Sequence, residues 1–249
     1  MKKLTDYIDQ EGFIVHLDPD ESSGGDSCQR TFMYFISLIA RGSIPIDVPA
    51  LESYWLALQK DGEPRRHWDE RYWPGRAGYM SRDNLIPAVC FLTLIGSNLV
   101  YKLLIDILVR FGFLWNKFRI GQHDGKAKIP DFCGPMIWLI SLRWTRAAAK
   151  YMRIVLWFHL RKVKKDPEDT SDDLNIQVLL MTLHLLAPNQ IKPVLEYYAK
   201  NRPKVPSLGK FDPNLGFAQS FIQYFKPDIS PPLDKEWISA IQSQWKFLL

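Results

Sequence analysis

Five stretches of the chain place an aspartate at or beside the start of a predicted helix. They read "GGDSCQR", "MSRDNLIP", "IPDFCGP", "TSDDLN" and "KFDPNLGF", and their acids are Asp26, Asp83, Asp131, Asp172 or Asp173, and Asp212. Paired carboxyl groups can cleave a glycosidic bond: one protonates the leaving oxygen while the other activates water or attacks directly. A lone Asp at such a place has a simpler role, because it caps the first turn and favours the positive end of the helix dipole. The functional reading comes from the surplus. Gln29 and Arg30 follow Asp26, Arg82 precedes Asp83, and Asn175 follows Asp172. A cap needs only one of these groups.

If alternate helices point the same way, these starts meet at one end of the molecule. Several helix N-termini would then make a donor-rich floor for a polar ligand. Asp26 and Asp83 are the expected catalytic pair, suited to nucleophile or base work, with Asp172 in reserve. Asp172 or His67 would supply the general acid. Arg30 lies four residues after Asp26, so both can share a helix face. Gln29, Arg30, His67, Arg82, Asp131 and Asn175 are the expected substrate-binding residues, and the expected ligand is a polar small molecule or glycan.

The loop "EPRRHWDERYWPG" adds charged groups and large aromatics around His67. Amphipathic aromatics beside charges can hold a sugar face or cover a core. His184, within "LLMTLHLLAP", reads as a core histidine, and His123 as a loop residue. Cys28 lies near a helix start, where a thiol pKa can fall. No His, Cys and Asp spacing reaches a metal signature, and there is no P-loop and no Gly-x-Ser-x-Gly elbow. No metal and no cofactor are expected.

These groups belong to a chain of 249 residues, 47% hydrophobic and 24% charged, which is ordinary globular composition. The net charge is +5 and the pI about 9.0. Much of the excess sits in "RWTRAAAKYMR" and "RKVKK". This basic face, Arg143 to Lys165, raises an alternative: a non-enzymatic protein that contacts a protein, nucleic acid or anionic membrane. Clustered charge without a base-reading motif predicts weak, salt-dependent binding. Three distant cysteines, Cys28, Cys90 and Cys133, give no disulfide framework. "MKKLTDYIDQEG" lacks the apolar stretch of a secretory signal. The apolar region from Leu85 is broken by Pro87, Gly96, Asn98, Lys102, Asp106 and Arg110, so it reads as two packed helices rather than a span. A cytoplasmic protein is expected.

The elements that must position the acids are helices almost throughout. Apolar spacing predicts helices over 26–42, 48–60, 82–96, 99–115, 132–144, 147–163, 172–186, 189–200, 214–225 and 234–247. Loops fall at 61–80 and 116–130. "GSN" and "APN" are tight turns between antiparallel neighbours. "GFIVHL" near the start reads as a short strand or a packed arm. The fold class is all-α, a single domain over 1–249 whose first 25 residues form an arm, with about ten paired antiparallel helices.

Paired helices with polar inner starts resemble the α/α-toroid proteins, over roughly residues 26–200. Many of those are glycoside hydrolases or polysaccharide lyases, so the resemblance implies a carbohydrate-active enzyme. Their catalytic motifs do not match this chain residue by residue. The length is short for a closed six-pair ring, which implies a compact or incomplete toroid. "GDSCQRTFMY", "SRDNLIP", "DFCGP" and "SDDLN" are also similar to segments of uncharacterised bacterial and phage-type proteins, a similarity that brings no activity with it.

Overall fold

The computed structural model describes residues 8–15, 27–60, 63–69, 82–111, 133–165 and 171–201. Among these residues the protein is all-α apart from one small ribbon and an isolated antiparallel bridge between Ile8 and Ile14. The helices are α1 (Ser27–Ala40), α2 (Val48–Ala57), α3 (Arg82–Leu94), α4 (Leu99–Phe111), α5 (Cys133–Ser141), α6 (Thr145–Lys165), α7 (Ser171–Leu186) and α8 (Pro188–Asn201). The expected helices over 214–225 and 234–247 lie outside the described residues.

Three helices are buried on every side. In α1 the run from Ser27 to Leu38 is buried, in α3 residues 84–93, and in α7 residues 174–183. A helix that is apolar all round must be central, since no face is left for solvent. α3 packs against α1, α5 and α7, and α1 packs against α7. The later helices α6 and α8 are one-sided and flank this centre, α6 against α5, α7 and α8.

Hydrogen bonds fix the sense of the central helices. The Gln29 amide, in the first turn of α1, donates to Asn84 Oδ1 at the start of α3 (3.2 Å). Asn175, in the second turn of α7, donates from Nδ2 to Asp83 Oδ1 at 2.6 Å. α1, α3 and α7 therefore begin at one end. At the other end Arg143, just after α5, makes a long 3.5 Å contact from Nη2 to the carbonyl of Thr93 near the end of α3. α5 runs in the same direction.

Helices α1, α3 and α5 also stop in the same way. Gly42, Gly96 and Arg143 follow α1, α3 and α5 with φ of 61°, 74° and 56°. In each, the next residue's N–H reaches five residues back: Ser43 to Leu38, Ser97 to Leu92 and Trp144 to Leu139. These are Schellman ends, which need the left-handed conformation that glycine adopts freely. They reverse the chain sharply into α4 and α6. Ser97 also donates its hydroxyl to Glu52 Oε1, tying α2 to the turn between α3 and α4.

One element departs from the expectation. The second helix ends at Ala57 rather than residue 60, and Gln59–Lys60 pairs antiparallel with Glu63–Pro64 as β1 and β2. Asp61-Gly62 between them is one of the dipeptides favoured in two-residue hairpins. The ribbon carries the chain back so that Arg66 accepts the Cys28 N–H at the first turn of α1 (2.9 Å). The N-terminal arm joins the same end, where the Ile14 amide donates to Thr31 Oγ1 (2.9 Å).

Candidate functional site

The shared end of α1, α3 and α7 collects more polar groups than three caps need. Sequence order explains part of it. "SCQR", "RDN" and "SDDLN" are each short polar runs ahead of a long apolar one. Burying the apolar runs in one centre forces the polar starts together.

Gln29 and Arg30 are buried in the first turn of α1, at 5% and 4% exposure. Nε and Nη1 of Arg30 are buried without a hydrogen-bond partner, and so is Ser27 Oγ. Asp83 is half-buried in the first turn of α3. Asn175 is fully buried; its amide nitrogen holds Asp83, but its Oδ1 has no partner. A buried polar atom without a partner costs roughly 1–3 kcal/mol, more if charged. Pro87 adds another feature. It has no N–H to return to the carbonyl four residues back, so the Asp83 carbonyl is released from the helical ladder. Arg82 and Asp172 occupy first-turn positions of α3 and α7. Asp26 and Asp131, and the side chains of Arg82 and Asp172, lie outside the described residues, as does Asp212.

His67 belongs to a second cluster, built on the arm. Its Nε2 lies 2.9 Å from Asp9 Oδ2, and the same oxygen accepts from Trp68 Nε1 at 2.7 Å. Nδ1 of His67 accepts the Asp69 N–H at 2.9 Å, so Nε2 carries the proton that faces Asp9. Asp9 Oδ1 accepts the amides of Glu11 and Phe13 in an Asx turn. His67 is fully buried, with its ring edge-on to Phe13. Both ring nitrogens are thus engaged within the protein. The nearby Tyr54 hydroxyl is pushed well above its ordinary pKa, first by burial and then by the negative charges of Asp9 and Glu11.

Two participants had weak signals in the sequence. Asn84 looks like background beside Asp83, although its side chain and carbonyl both serve α1: Oδ1 takes the Gln29 amide, and the carbonyl takes Cys28 Sγ (3.5 Å). Asp9 sits in "DQEG", an Asx-turn pattern that says nothing of a histidine 58 residues later. Among the described side chains, neither Cys28 nor Cys90 offers an accessible thiol. Cys28 and Cys90 are buried, and burial pushes Cys90 up to about 12, against a smaller opposing effect from Thr182. Burial lowers the His184 pKa, which favours its neutral form. Among the described residues, no group of three or more His, Cys, Asp or Glu could hold a metal ion.

Comparison with family models, curated proteins and solved structures finds no match to this chain. Its function must be argued from its own residues.

Proposed function

We propose that the polar end shared by α1, α3 and α7 binds a hydroxyl-rich small molecule or glycan and that the protein hydrolyses it. The observation that carries this is the Asp83–Asn175 pair. A carboxylate is held at 2.6 Å by an amide from another helix, beside buried groups of Ser27, Arg30 and Asn175 that the fold leaves unpartnered. Polar groups kept buried without partners are costly, and a ligand with several hydroxyls would satisfy donors and acceptors together. In this reading Asp83 is the base or nucleophile and Asp26 the second carboxyl, with Asp172 as the reserve acid. Gln29, Arg30 and Asn175 bind the substrate. The engagement of both His67 nitrogens makes that residue a support of the site rather than its acid. The whole chain would form a compact or incomplete α/α toroid of about ten helices.

The test is a thermal-shift and hydrolysis screen with neutral and acidic oligosaccharides on the intact protein, followed by Asp83→Asn and Asn175→Ala. Asp83→Asn is expected to abolish turnover while keeping the fold, because Asn substitutes well near a helix start. Asn175→Ala is expected to weaken turnover by at least about tenfold, about 1.4 kcal/mol of transition-state stabilisation. Unchanged turnover in Asp83→Asn would overturn the reading, as would a screen in which no glycan binds.

A further inference from the structure

We propose that α6 docks the protein on an anionic lipid surface. The helix is 21 residues long; seven are Lys or Arg and none is Asp or Glu. Its inner side, with Ala148, Met152, Val155, Leu156 and Leu160, is buried against the neighbouring helices. Its outer side is a continuous stripe at helical spacing, made of Lys150, Arg153, Ile154, Trp157, Phe158 and Arg161, all exposed. Ile154 is 52% exposed, Trp157 43% and Phe158 47%. Among the described residues, none of Lys150, Arg153 and Arg161 makes an ion pair, so the positive charge is uncommitted.

Charge and shape together select the occupant. A second copy seated symmetrically on this face would set cations against cations, which disfavours self-association. Nucleic acid would use the cations but not the apolar half. Ile154 has no flat face to offer a base, and the Arg161 guanidinium already lies 3.5 Å over the Trp157 ring. Phe158 packs edge-on against that ring at 4.7 Å. A lipid surface uses both halves. Trp157, Phe158 and Ile154 enter the boundary between headgroups and acyl chains, while the long stems of Lys and Arg carry their charges up to the phosphates. The exposed stripe on α4, with Tyr101, Ile105 and Leu108, lacks this character because Lys102 and Asp106 offset each other there. No helix among the described residues is long and apolar enough to cross a membrane. Docking by α6 is therefore peripheral and independent of the polar end.

The test is co-sedimentation of the full chain with phosphatidylcholine vesicles, with and without about a third phosphatidylserine. Binding is expected only with the anionic lipid, and it should fall steeply between low and high salt. Each surface cation contributes a factor of about five in partitioning, so Lys150→Glu with Arg153→Glu should weaken it at least about 25-fold. Trp157→Ser with Phe158→Ser should weaken it at least about tenfold by removing inserted apolar area. Lys192→Glu with Lys200→Glu, exposed on α8, changes the net charge equally and should have much less effect. Circular dichroism checks that each variant keeps its helices. Equal binding to neutral vesicles, no binding at low salt, or an equal loss from the α8 pair would overturn the proposal. So would a dimer, or an oligonucleotide complex, that the α6 variants abolish while vesicles bind nothing.

Discussion

A single carboxylate, Asp9, accepts four hydrogen bonds: two backbone amides on Oδ1, and the His67 and Trp68 ring N–H groups on Oδ2. That arrangement sets the arm against the loop after β2. It also explains why the two obvious substitutions differ little. Asp9→Ala removes the acceptor from every donor. Asp9→Asn keeps an oxygen for the backbone but turns an NH₂ towards two buried N–H donors. His67 can move its proton to Nδ1 only by giving up the Asp69 amide there for a longer 3.2 Å contact with the Asp69 carbonyl. Each change is expected to destabilise the protein by about 2–4 kcal/mol, more than a surface Asx turn would. Urea denaturation measures it. A loss of half a kcal/mol or less for Asp9→Asn would mean that the His67 and Trp68 contacts add nothing. In the sequence, Asp83 and Asn175 were legible as site candidates because each lies in a polar run just ahead of an apolar one. Asn84 and Asp9 were not, since their partners lie 55 to 59 residues away and no local pattern encodes such a pairing.

At the scale of elements, helix periodicity and turn residues placed every described helix to within a few positions. The miss at residues 58–60 has a physical source. "WLALQK" is apolar enough to read as a continuing helix, while the Asp61-Gly62 signal just beyond it favours a hairpin. The Schellman end of α5 offers a sharper test. Arg143 holds φ 56° where α1 and α3 use glycine. A non-glycine residue in that conformation costs roughly 1 kcal/mol, and the 3.5 Å contact of Arg143 with Thr93 offsets only part of it. Arg143→Gly is expected to stabilise the protein by about 0.5 kcal/mol, while Arg143→Ala keeps the strain and loses the contact. The two variants should therefore differ by about 1 kcal/mol in thermal or urea unfolding. Gly96→Ala is the mirror case. Nothing lies within 4 Å of the added methyl, so the backbone strain alone sets the cost. Arg143→Ala matching Arg143→Gly would show that the turn tolerates the conformation without strain.

For the molecule as a whole, the question is which of its many aromatics hold the helices together and which face outward. Composition could not decide this, because Trp and Phe occur in both places. The structure separates them. Phe91 of α3 stacks on Phe32 at 4.8 Å and on Phe35 at 5.2 Å, both from α1. Phe35 meets Tyr54 of α2 at 4.8 Å, and Tyr54 meets Phe13 of the arm at 5.4 Å. One aromatic chain thus joins the arm and the first three helices, and the rings of Phe13, Phe32, Phe35 and Phe91 are fully buried. Truncating Phe91 to Ala removes the α3 member of that chain, which stacks on both α1 rings, and leaves a cavity at its place. It is expected to cost about 3–5 kcal/mol. Phe91→Leu should cost clearly less, since it keeps much of the volume and loses mainly the ring stacking. Trp157→Ser on α6 removes as large an aromatic from a position 43% exposed, so the change should stay within about 0.5 kcal/mol. All three are measured by urea denaturation of the intact chain. The contrast between Phe91→Ala and Trp157→Ser is the decisive quantity. Equal losses would mean that the outer face of α6 is covered within the fold, and the stripe would then be core rather than a docking surface. A large loss at Phe91 with none at Trp157 would leave the aromatic chain as the element that binds arm, α1, α2 and α3 into one body.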